Sequence, residues 1–386
     1  MSDDTEPAGP DGTHRELMAR ALELGHGGDP SPNPHVGAVI ADGREVIAEG
    51  FHNLAGDDHG EIVALRAAGD RARGKTLYVT LEPCNHQGRT GPCVDAILAS
   101  EIARVVVGFR DPNPHVPGGG IERLREAGVE VVTGVLEEEA MRLVRPWTTF
   151  VTEGVSYLSL KLALSLDGRV ATRTGVSKWI TGPESRARVH ALRATYDAVM
   201  VGINTVLADD PRLTVREVPG RNPVRVVVDS KLRTPLESAL VRTAREVPTC
   251  IVTTVDAPVA LSEPLEAAGV SVVRVPATSS GRCDMAAALR ALAQREVVSV
   301  LCEGGAELAG SLLAGRLPAE LHAFLAPVLL GPRGIPGAVD WAGPEAPALA
   351  PRIEPATWEL CGSDAYVFGP LVYPSNARKR PPSTPE

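Results

Sequence analysis

The sequence predicts an α/β protein with two domains, each a sheet covered by helices. The chain has 386 residues, which is more than one typical domain holds. Short apolar runs of strand character alternate with amphipathic helical patterns along both halves. A long helical pattern that ends near Glu153-Gly154 separates the two series, and we predict the boundary there. No repeat relates the two halves.

The first predicted domain, residues 13–150, has a mixed or parallel sheet with helices on both faces. Its predicted helices are His14–His26, His59–Ala72, Val94–Ala99, Ile121–Ala127 and Leu136–Phe150. Its predicted strands are Val36–Ile40, Glu45–Gly50, Thr76–Leu81, Arg104–Phe109 and Val129–Val132. The first two strands flank an Asp42-Gly43 turn, which predicts a hairpin.

The second predicted domain, residues 155–373, repeats the alternation of strands and helices. Its predicted strands are Tyr157–Leu164, Ala198–Val201, Val224–Val228, Thr249–Thr253, Val297–Leu301 and Leu321–Leu325. Its predicted helices are Glu184–Ala194, Ala286–Ala293 and one that starts at Ala306. The ends, residues 1–12 and 374–386, are rich in Pro and charge, and we expect them to be disordered.

Composition favours a cytoplasmic enzyme. The net charge is −9 and aromatic residues make up 4% of the chain, which weighs against a nucleic-acid partner. No apolar run reaches the length of a membrane span, and the N-terminus lacks the apolar segment of a signal peptide. Six cysteines spread over so long a chain fit a reducing compartment.

One motif in the first half carries metal chemistry. His59 and Glu61 open a predicted helix, and Cys84 and Cys93 each follow a proline. One imidazole and two thiolates make three protein ligands, and a catalytic zinc keeps its fourth position open. Helix starts near the cysteines would favour their thiolate forms. Glu61 would move protons in a hydrolytic deamination, as in the His-x-Glu…Pro-Cys-x-x-Cys signature of zinc deaminases.

Two other interpretations of this motif stay open. The cysteines could be buried apolar residues, or the group could be a structural zinc site closed by His86 as a fourth ligand. The spacing also departs from the common signature, because eight residues separate Cys84 from Cys93.

The segments His59–Leu65 and Thr80–Cys93, with Gly88-Arg89-Thr90 inside the second, resemble the deaminase half of the bacterial bifunctional riboflavin-biosynthesis deaminase/reductases. The resemblance implies a cytidine-deaminase-like three-layer αβα domain. It also implies that the pyrimidine and its ribose phosphate contact Asn33, His52, Arg89, Asp111 and Asn113. Asn33 and Asn113 each lie in a Pro-Asn-Pro segment, and the alternative is that these two segments simply form turns.

Two residues depart from this family's pattern. Gly60 stands where the family usually has Ala, and Val63 where it often has a second His. Neither change removes a metal ligand or Glu61. Glycine in a first helical turn should cost somewhat under ~1 kcal/mol in helix propensity.

The second half contains, in this order, the segments Lys161–Arg169, Ser177–Thr181, Val201–Pro211, Leu213–Arg216, Val227–Ser230 and Cys302–Gly310. Taken together, they resemble the reductase half of the same family, which is dihydrofolate-reductase-like and uses NADPH. The dinucleotide contacts implied by the resemblance are Ala163, Trp179, Thr205, Asp209, Ser230, Gly305, Ala306, Glu307, Leu308, Ala309, Gly310 and Ser311. The implied substrate contacts are Ser177, Arg193, Leu213, Arg216 and Glu303. Gly304-Gly305 between a strand and a helix could cradle a pyrophosphate or simply form a tight turn.

Lys161 and Asp209 are candidates for proton handling near the ribose. The alternatives are a salt-bridged lysine at a strand end and a cap before Pro211.

The resemblance implies a bifunctional enzyme with one zinc ion per chain. It would deaminate 2,5-diamino-6-(5-phosphoribosylamino)pyrimidin-4(3H)-one and then reduce the ribosyl chain of 5-amino-6-(5-phosphoribosylamino)uracil with NADPH. We expect small phosphorylated pyrimidines as partners, no nucleic acid or membrane, and a homo-oligomer. The alternatives are a paralogue acting on a related pyrimidine, a chain with one active half, a zinc-stabilised binding module and a nucleic-acid deaminase. Glu61 argues against the binding module, and the acidic composition against the nucleic-acid deaminase.

Overall fold

The computed structural model describes residues 12–87, 91–115, 118–331 and 337–374. The two ends, 1–11 and 375–386, lie outside these ranges and belong to the segments predicted to be disordered. Arg89 lies outside them as well. The chain forms two compact units, Met1–Ser156 with Ala293–Val298, and Tyr157–Leu292 with Ser299–Glu386. None of the described helices is long and apolar enough to cross a membrane.

The first unit contains a mixed sheet between two helical layers. Its elements are α1 Thr13–Gly25, β1 Gly37–Asp42, β2 Glu45–Phe51, α2 Gly60–Ala68, β3 Thr76–Leu81, α3 Cys93–Ala99, β4 Arg104–Phe109, α4 Gly120–Glu126, β5 Glu130–Thr133 and α5 Glu137–Glu153. Over the described residues the strand order is β2-β1-β3-β4-β5. β1 pairs antiparallel with β2 and β3, whereas β3, β4 and β5 are parallel.

Side-chain alternation along the strands gives this sheet two apolar faces, as the predicted three-layer fold requires. In β1, Ala38 and Ile40 pack with helices α2, α3 and α4. The next residues along, Val39 and Ala41, pack with α1 and α5. The αβα prediction is therefore confirmed.

Two elements of the first unit differ from the pattern in the sequence. The helix predicted over His59–Ala72 is α2 followed by a 3₁₀ turn, because Gly69 adopts a φ of 55° and ends the α-helix. Residues 293–298 join this unit through packing. The Ser156 hydroxyl donates to the Val297 carbonyl at 2.7 Å, and Val298 lies in the core beside α2.

The second unit contains a larger, mostly parallel sheet. Its strands are β6 Tyr157–Ser165, β7 Ala198–Gly202, β8 Val224–Val228, β9 Thr249–Thr254, β10 Ser271–Val275, β11 Ser299–Cys302, β12 Glu320–Ala326, β13 Arg352–Ile353, β14 Thr357–Cys361 and β15 Asp364–Val372. Its helices are α6 Pro183–Thr195, α7 Ile203–Asp209, α8 Ala239–Arg242, α9 Val259–Ala267, α10 Met285–Ala293 and α11 Ala306–Ala314.

The order of this sheet, over the described residues, is β10-β9-β8-β7-β11-β6-β12-β15-β13, with β14 also paired to β15. The strands from β10 to β12 are parallel, and β13, β14 and β15 add an antiparallel edge. β7 and β11 end beside each other near the middle of the sheet. Ligands of open α/β sheets bind beyond the carboxyl ends of such strands.

Candidate active sites

Three side chains of the first unit bring one imidazole nitrogen and two sulfurs together. His59 directly precedes α2, Cys84 follows β3, and Cys93 begins α3. Their ligand atoms all lie within 4.8 Å of one another. His59 Nδ1 is 3.2 Å from Cys93 Sγ and 3.6 Å from Cys84 Sγ. One imidazole and two thiolates are a donor set that zinc prefers, so these residues fit the ion.

The geometry favours a thiolate on Cys84. Hydrogen bonds from the Cys93 thiol and from His59 lower the pKa of Cys84 to about 4, against the effect of its burial. The same interaction raises the pKa of Cys93, and Cys84 raises the pKa of His59 to about 8. Cys84 begins no helix itself, but its sulfur accepts the first N–H of α3 at 3.3 Å. The helix dipole therefore acts on Cys84 through Cys93.

The ligand group is open. Within the described ranges it consists of His59, Cys84 and Cys93, and neither His86 nor any carboxylate joins it. A structural zinc site is normally closed by four protein ligands. Three ligands are the number that a catalytic zinc site uses.

Glu61 lies in the first turn of α2, beside this group, and is 3% exposed. Its Oε2 atom has no hydrogen-bond partner within the part of the chain that the structure describes. A buried polar atom without a partner is costly, so it marks a place where a ligand or a reaction uses it. Burial raises the pKa of Glu61. A carboxyl group with a raised pKa is suited to take up and release protons near neutral pH.

Asn33 and His52 form a hydrogen-bonded pair beside His59. His52 is 2% exposed, and its ring centre lies 5.2 Å from that of His59. Its Nδ1 is 3.0 Å from the Asp58 carbonyl and must donate to it, so its Nε2 accepts from the Asn33 amide at 3.0 Å. Burial lowers the pKa of His52, in agreement with this neutral form. The network thereby fixes the direction of the Asn33 amide.

Asp111 and Asn113 form consecutive turns after β4. Asp111 Oδ1 accepts from the Asn113 N–H at 2.8 Å, and Asn113 Oδ1 accepts from the His115 N–H at 3.0 Å. The turn chemistry considered for this segment is therefore present. Burial raises the pKa of Asp111. Asp111 also lines a small cleft together with Cys84 and His86.

Glu82 positions this segment, a role that the sequence did not reveal. It is 6% exposed, and its two carboxylate oxygens accept the N–H groups of Asp111 at 3.2 Å and Ile121 at 3.1 Å. It thereby ties the end of β4 and the start of α4 to the loop that carries Cys84. The sequence feature that could have indicated this role is the position of Glu82 directly after β3, in Leu81-Glu82-Pro83-Cys84.

Gly60 has a structural reason in this chain. A Cβ atom there would lie 3.0 Å from the Val36 carbonyl oxygen and 3.2 Å from Phe51 Cα. The start of α2 therefore packs tightly against the strand pair. Arg89 lies outside the described residues, so its predicted phosphate contact stays a prediction.

In the second unit, Glu303 is the centre of a buried ion cluster at the end of β11. Arg193 of α6 donates to both its carboxylate oxygens, at 2.6 and 3.0 Å, and Lys161 Nζ lies 3.6 Å from it. Although burial acts to raise the pKa of Glu303, the two cations lower it to about 2. Burial lowers the pKa of Lys161. The salt bridge considered for Lys161 is therefore present, but Lys161 lies in the middle of β6 and not at a strand end. Its partners in the cluster, Arg193 and Glu303, were both predicted as substrate contacts.

The remaining predicted substrate residues lie around this cluster or on loops. Arg193 Nη1 donates to the Thr214 carbonyl at 3.1 Å, which links the cluster to the loop of Leu213 and Arg216. His190 was missed by the sequence analysis. It is 5% exposed and accepts the Arg216 N–H at 3.0 Å. Ser177 lies in the irregular segment between β6 and α6.

A cavity of about 600 Å³ opens beyond the carboxyl ends of β7, β8 and β11. Seven of the predicted dinucleotide contacts line it: Thr205, Ser230, Gly305, Ala306, Glu307, Leu308 and Ser311. The N-terminus of α11 faces this space, where its N–H groups can bind phosphate. A dinucleotide therefore fits the volume and the chemistry of the cavity.

Five predicted dinucleotide contacts do not line this cavity: Ala163, Trp179, Asp209, Ala309 and Gly310. Trp179 is 70% exposed and lies under the Arg186 guanidinium. Asp209 forms an ion pair with Lys178 at 3.9 Å. A Cβ atom on Gly310 would lie 1.9 Å from the Asp340 carbonyl oxygen, so close packing explains that glycine.

Comparisons with known proteins agree with both sites. The model of the "Cytidine and deoxycytidylate deaminase zinc-binding region" matches residues 11–109, and that of the "RibD C-terminal domain" matches residues 156–367. Riboflavin biosynthesis protein RibD of Aquifex aeolicus is 44% identical over 315 residues, 81% of this chain and 86% of that protein. RibD of Actinobacillus pleuropneumoniae is 40% identical over 94% of this chain and 96% of its own.

Solved structures give the same result. A diaminohydroxyphosphoribosylaminopyrimidine deaminase/5-amino-6-(5-phosphoribosylamino)uracil reductase from Thermotoga maritima superposes with a TM-score of 0.81 at 36% identity, covering 93% of this chain and 99% of that one. Acinetobacter baumannii RibD also gives 0.81, at 35% identity and the same coverage. The chain therefore belongs to the RibD family of bifunctional riboflavin-biosynthesis enzymes, with a zinc-binding deaminase domain followed by an NADPH-using reductase domain.

Proposed function

We propose that this chain carries out two successive steps on one phosphorylated pyrimidine. The first removes the 2-amino group of 2,5-diamino-6-(5-phosphoribosylamino)pyrimidin-4(3H)-one by hydrolysis and releases ammonia. The second reduces the ribosyl chain of the resulting 5-amino-6-(5-phosphoribosylamino)uracil to ribityl. The observation that carries the proposal is the pair of sites in one chain, an open zinc-ligand group and a dinucleotide-sized cavity.

The deaminase proposal rests on the open ligand group beside a buried carboxyl. Zinc held by His59, Cys84 and Cys93 supplies a Lewis acid that activates water. Glu61 would take a proton from the water on its Oε2 and give it to the ring nitrogen as the C–O bond forms. It would then take the proton of the new hydroxyl and give it to the amine, which leaves as ammonia as the C–N bond breaks and the carbonyl forms. Its burial makes the neutral form accessible, which the second transfer needs.

The pyrimidine contacts proposed for this half are Asn33, His52, Asp111, Asn113 and Arg89. The His52 ring fixes the amide of Asn33, which is suited to read an amide-like ring edge. Asp111 and Asn113 lie on a loop held by Glu82. Arg89 is the proposed phosphate contact, since its planar guanidinium matches a phosphate.

The reductase proposal rests on the Glu303 cluster and the neighbouring cavity. NADPH supplies the hydride when bound. Glu303 holds Lys161 and Arg193 in place, and Lys161, with a pKa lowered by burial, is the proposed proton donor to the ribosyl chain. The guanidinium nitrogens of Arg193 already donate to Glu303 and to the Thr214 carbonyl. Arg216 is therefore the better candidate to bind the ribose phosphate.

The other contacts of this half stay proposals. Ser177 and Leu213 are proposed for the substrate. Ala163, Trp179, Asp209, Ala309 and Gly310 are proposed for the dinucleotide, although none of them lines the cavity. We also propose a cytoplasmic homo-oligomer with small phosphorylated pyrimidines, and no nucleic acid or membrane, as partners. The acidic composition, with a net charge of −9, supports the exclusion of nucleic acid.

Turnover by the purified chain tests the proposal. With the diaminopyrimidinone substrate alone, the zinc-loaded protein should release ammonia and accumulate the uracil. Addition of NADPH should then consume one equivalent of NADPH per uracil and yield the ribityl product. Release of ammonia without NADPH oxidation would leave one active half. Failure of both reactions, with turnover of a related pyrimidine, would move the substrate assignment to that compound.

A further inference from the structure

The dinucleotide cavity of the second unit is lined by charged residues that are not among the dinucleotide contacts implied by the resemblance. NADPH differs from NADH by one phosphate on the adenosine ribose. None of the twelve dinucleotide contacts named from the sequence is a cation. Arginine and lysine are the side chains that recognise such a phosphate. The residues that distinguish the two dinucleotides must therefore be sought elsewhere on the cavity wall.

Among the described residues, three cations line this cavity, namely Lys231, Arg233 and Arg282. Lys231 and Arg233 lie on the loop that follows β8, directly after Ser230. Arg282 lies on a tight turn before α10, in which Gly281 N–H donates to the Thr278 carbonyl at 2.9 Å.

A hydrogen-bonded chain links the two arginines across the wall. Arg233 Nη2 donates to Asn204 Oδ1 at 3.1 Å, and Asn204 Nδ2 donates to Glu307 Oε2 at 3.0 Å. Arg282 forms an ion pair with the other oxygen of Glu307. These contacts connect the loop of Arg233, through Asn204 and Glu307, to the turn of Arg282.

The charges of this wall do not cancel. Glu307 is matched by Arg282, and the buried carboxylate of Asp229 accepts from the N–H and hydroxyl of Thr234, both at 2.8 Å. Within the described parts of the chain, neither Lys231 nor Arg233 forms an ion pair. Both side chains are exposed at the cavity. Two cations therefore remain at one end of the cavity for an anionic group of the ligand.

We propose that Lys231 and Arg233 bind the ribose phosphate of NADPH and so determine the preference of this chain for NADPH over NADH. Arg282 neutralises Glu307, which would otherwise repel that phosphate. The inference rests on the proposed reductase function and assigns the phosphorylated end of the dinucleotide to the loop after β8.

Titration of the full chain with NADPH and with NADH tests this inference without any turnover. Arg233→Ala and Lys231→Ala should each raise the Kd for NADPH roughly tenfold, and the double variant roughly a hundredfold. The Kd for NADH should stay within about twofold, because NADH lacks the phosphate. Arg233→Lys should recover part of the loss. Arg242→Ala, an exposed arginine on α8 outside the cavity, is the matched control and should change neither value.

The salt dependence of NADPH binding gives a second readout, and its slope should fall in the double variant because fewer charges meet. Equal losses for NADPH and NADH would show that the loop binds a part common to both and would overturn the inference. Unchanged binding of both would overturn it as well. If the unaltered chain bound neither dinucleotide, the reductase proposal itself would fail, and this outcome is distinct from the other two.

Discussion

Each unit of this protein contains a buried glutamate at its site, and the two have opposite surroundings. Glu61 of the first unit is 3% exposed, and its Oε2 has no hydrogen-bond partner among the residues that the structure describes. The side chain of Glu303 in the second unit is 7% exposed, and Arg193 and Lys161 contact it. Burial acts to raise the pKa of both carboxyls. In Glu303 the two cations reverse this effect and bring the pKa to about 2, whereas the pKa of Glu61 stays raised.

The difference shows how one residue type serves two purposes. A buried carboxyl group with one oxygen free of hydrogen bonds can exchange a proton, and its instability in the folded state accompanies that ability. A carboxylate held by two cations stays ionised and fixes the positions of those cations. We therefore propose Glu61 as a proton carrier and Glu303 as a positioning residue. Three predictions separate these roles.

The largest effect is expected from Glu61→Gln. The amide keeps the size of the side chain but cannot take up a proton, so ammonia release should fall by roughly 100- to 10,000-fold. Zinc content should stay at one ion per chain, since Glu61 is outside the ligand group. The measurements are ammonia release at saturating substrate and metal analysis of the same sample.

The reductase reaction of the Glu61→Gln variant serves as its internal control. NADPH oxidation with the uracil substrate should remain at the level of the unaltered chain, because Glu61 and Glu303 belong to different units. Ammonia release that did not change would exclude Glu61 as the proton carrier. Loss of zinc would indicate a role in metal binding instead.

A second, intermediate effect is expected from Glu303→Gln on stability. The substitution leaves Arg193 and Lys161 buried with no carboxylate, and removal of one partner from a buried ion pair costs about 3–5 kcal/mol. Urea titration measures the free energy of unfolding of the chain. Hydrogen exchange of the β6 and β11 amides measures the free energy of opening where the cluster lies.

The matched control is Arg188→Ala, which removes an exposed ion pair with Glu359 in the same unit. The two side chains are 42% and 41% exposed, so the loss should be under about 1 kcal/mol. Equal costs for the two variants would contradict the view that the Glu303 cluster owes its energy to burial.

The smallest effect is expected in the pH dependence of this stability. The pKa of Glu303 is about 2 in the folded chain, against an ordinary value of 4.5. A carboxyl with a lowered folded pKa contributes its full stabilisation above its unfolded pKa, and this contribution is lost progressively as the pH falls from the unfolded pKa to the folded pKa. The stability difference between the unaltered chain and Glu303→Gln should thus be constant from pH 7 to 5 and shrink from pH 4.5 towards 3. A difference that grew in this range would contradict the assigned direction.

The fold could be predicted where the spacing of apolar residues indicated a helix or a strand. The hairpin of β1 and β2, the βαβ order of the first unit and most strands of the second follow the apolar patterns, because one face of each element must be buried. The sequence patterns did not predict the antiparallel edge of β13, β14 and β15. They also did not predict β10, α7 and α9. The strand predicted over Val297–Leu301 is β11, Ser299–Cys302, because Val297 and Val298 pack in the first unit.

The two sites differed in how far the sequence specified them. His59, Glu61, Cys84 and Cys93 could be assigned from short segments, since few residue sets can bind zinc and a proton carrier must lie next to them. The cavity is assembled from loops that are far apart in the chain. Residues such as Arg233, Arg282 and Asn204 showed no local pattern that marked them.

The sequence by itself determined the type of each domain, the set of candidate metal ligands and the presence of a carboxyl near them, because these depend on residue type and short spacing. Only the tertiary structure decided the protonation behaviour of the two glutamates. That property depends on which charges and hydrogen bonds reach a buried group, and those partners come from distant segments. Arg193 and Lys161 reach Glu303 from 110 and 142 residues away, whereas no side chain reaches Oε2 of Glu61 among the described residues.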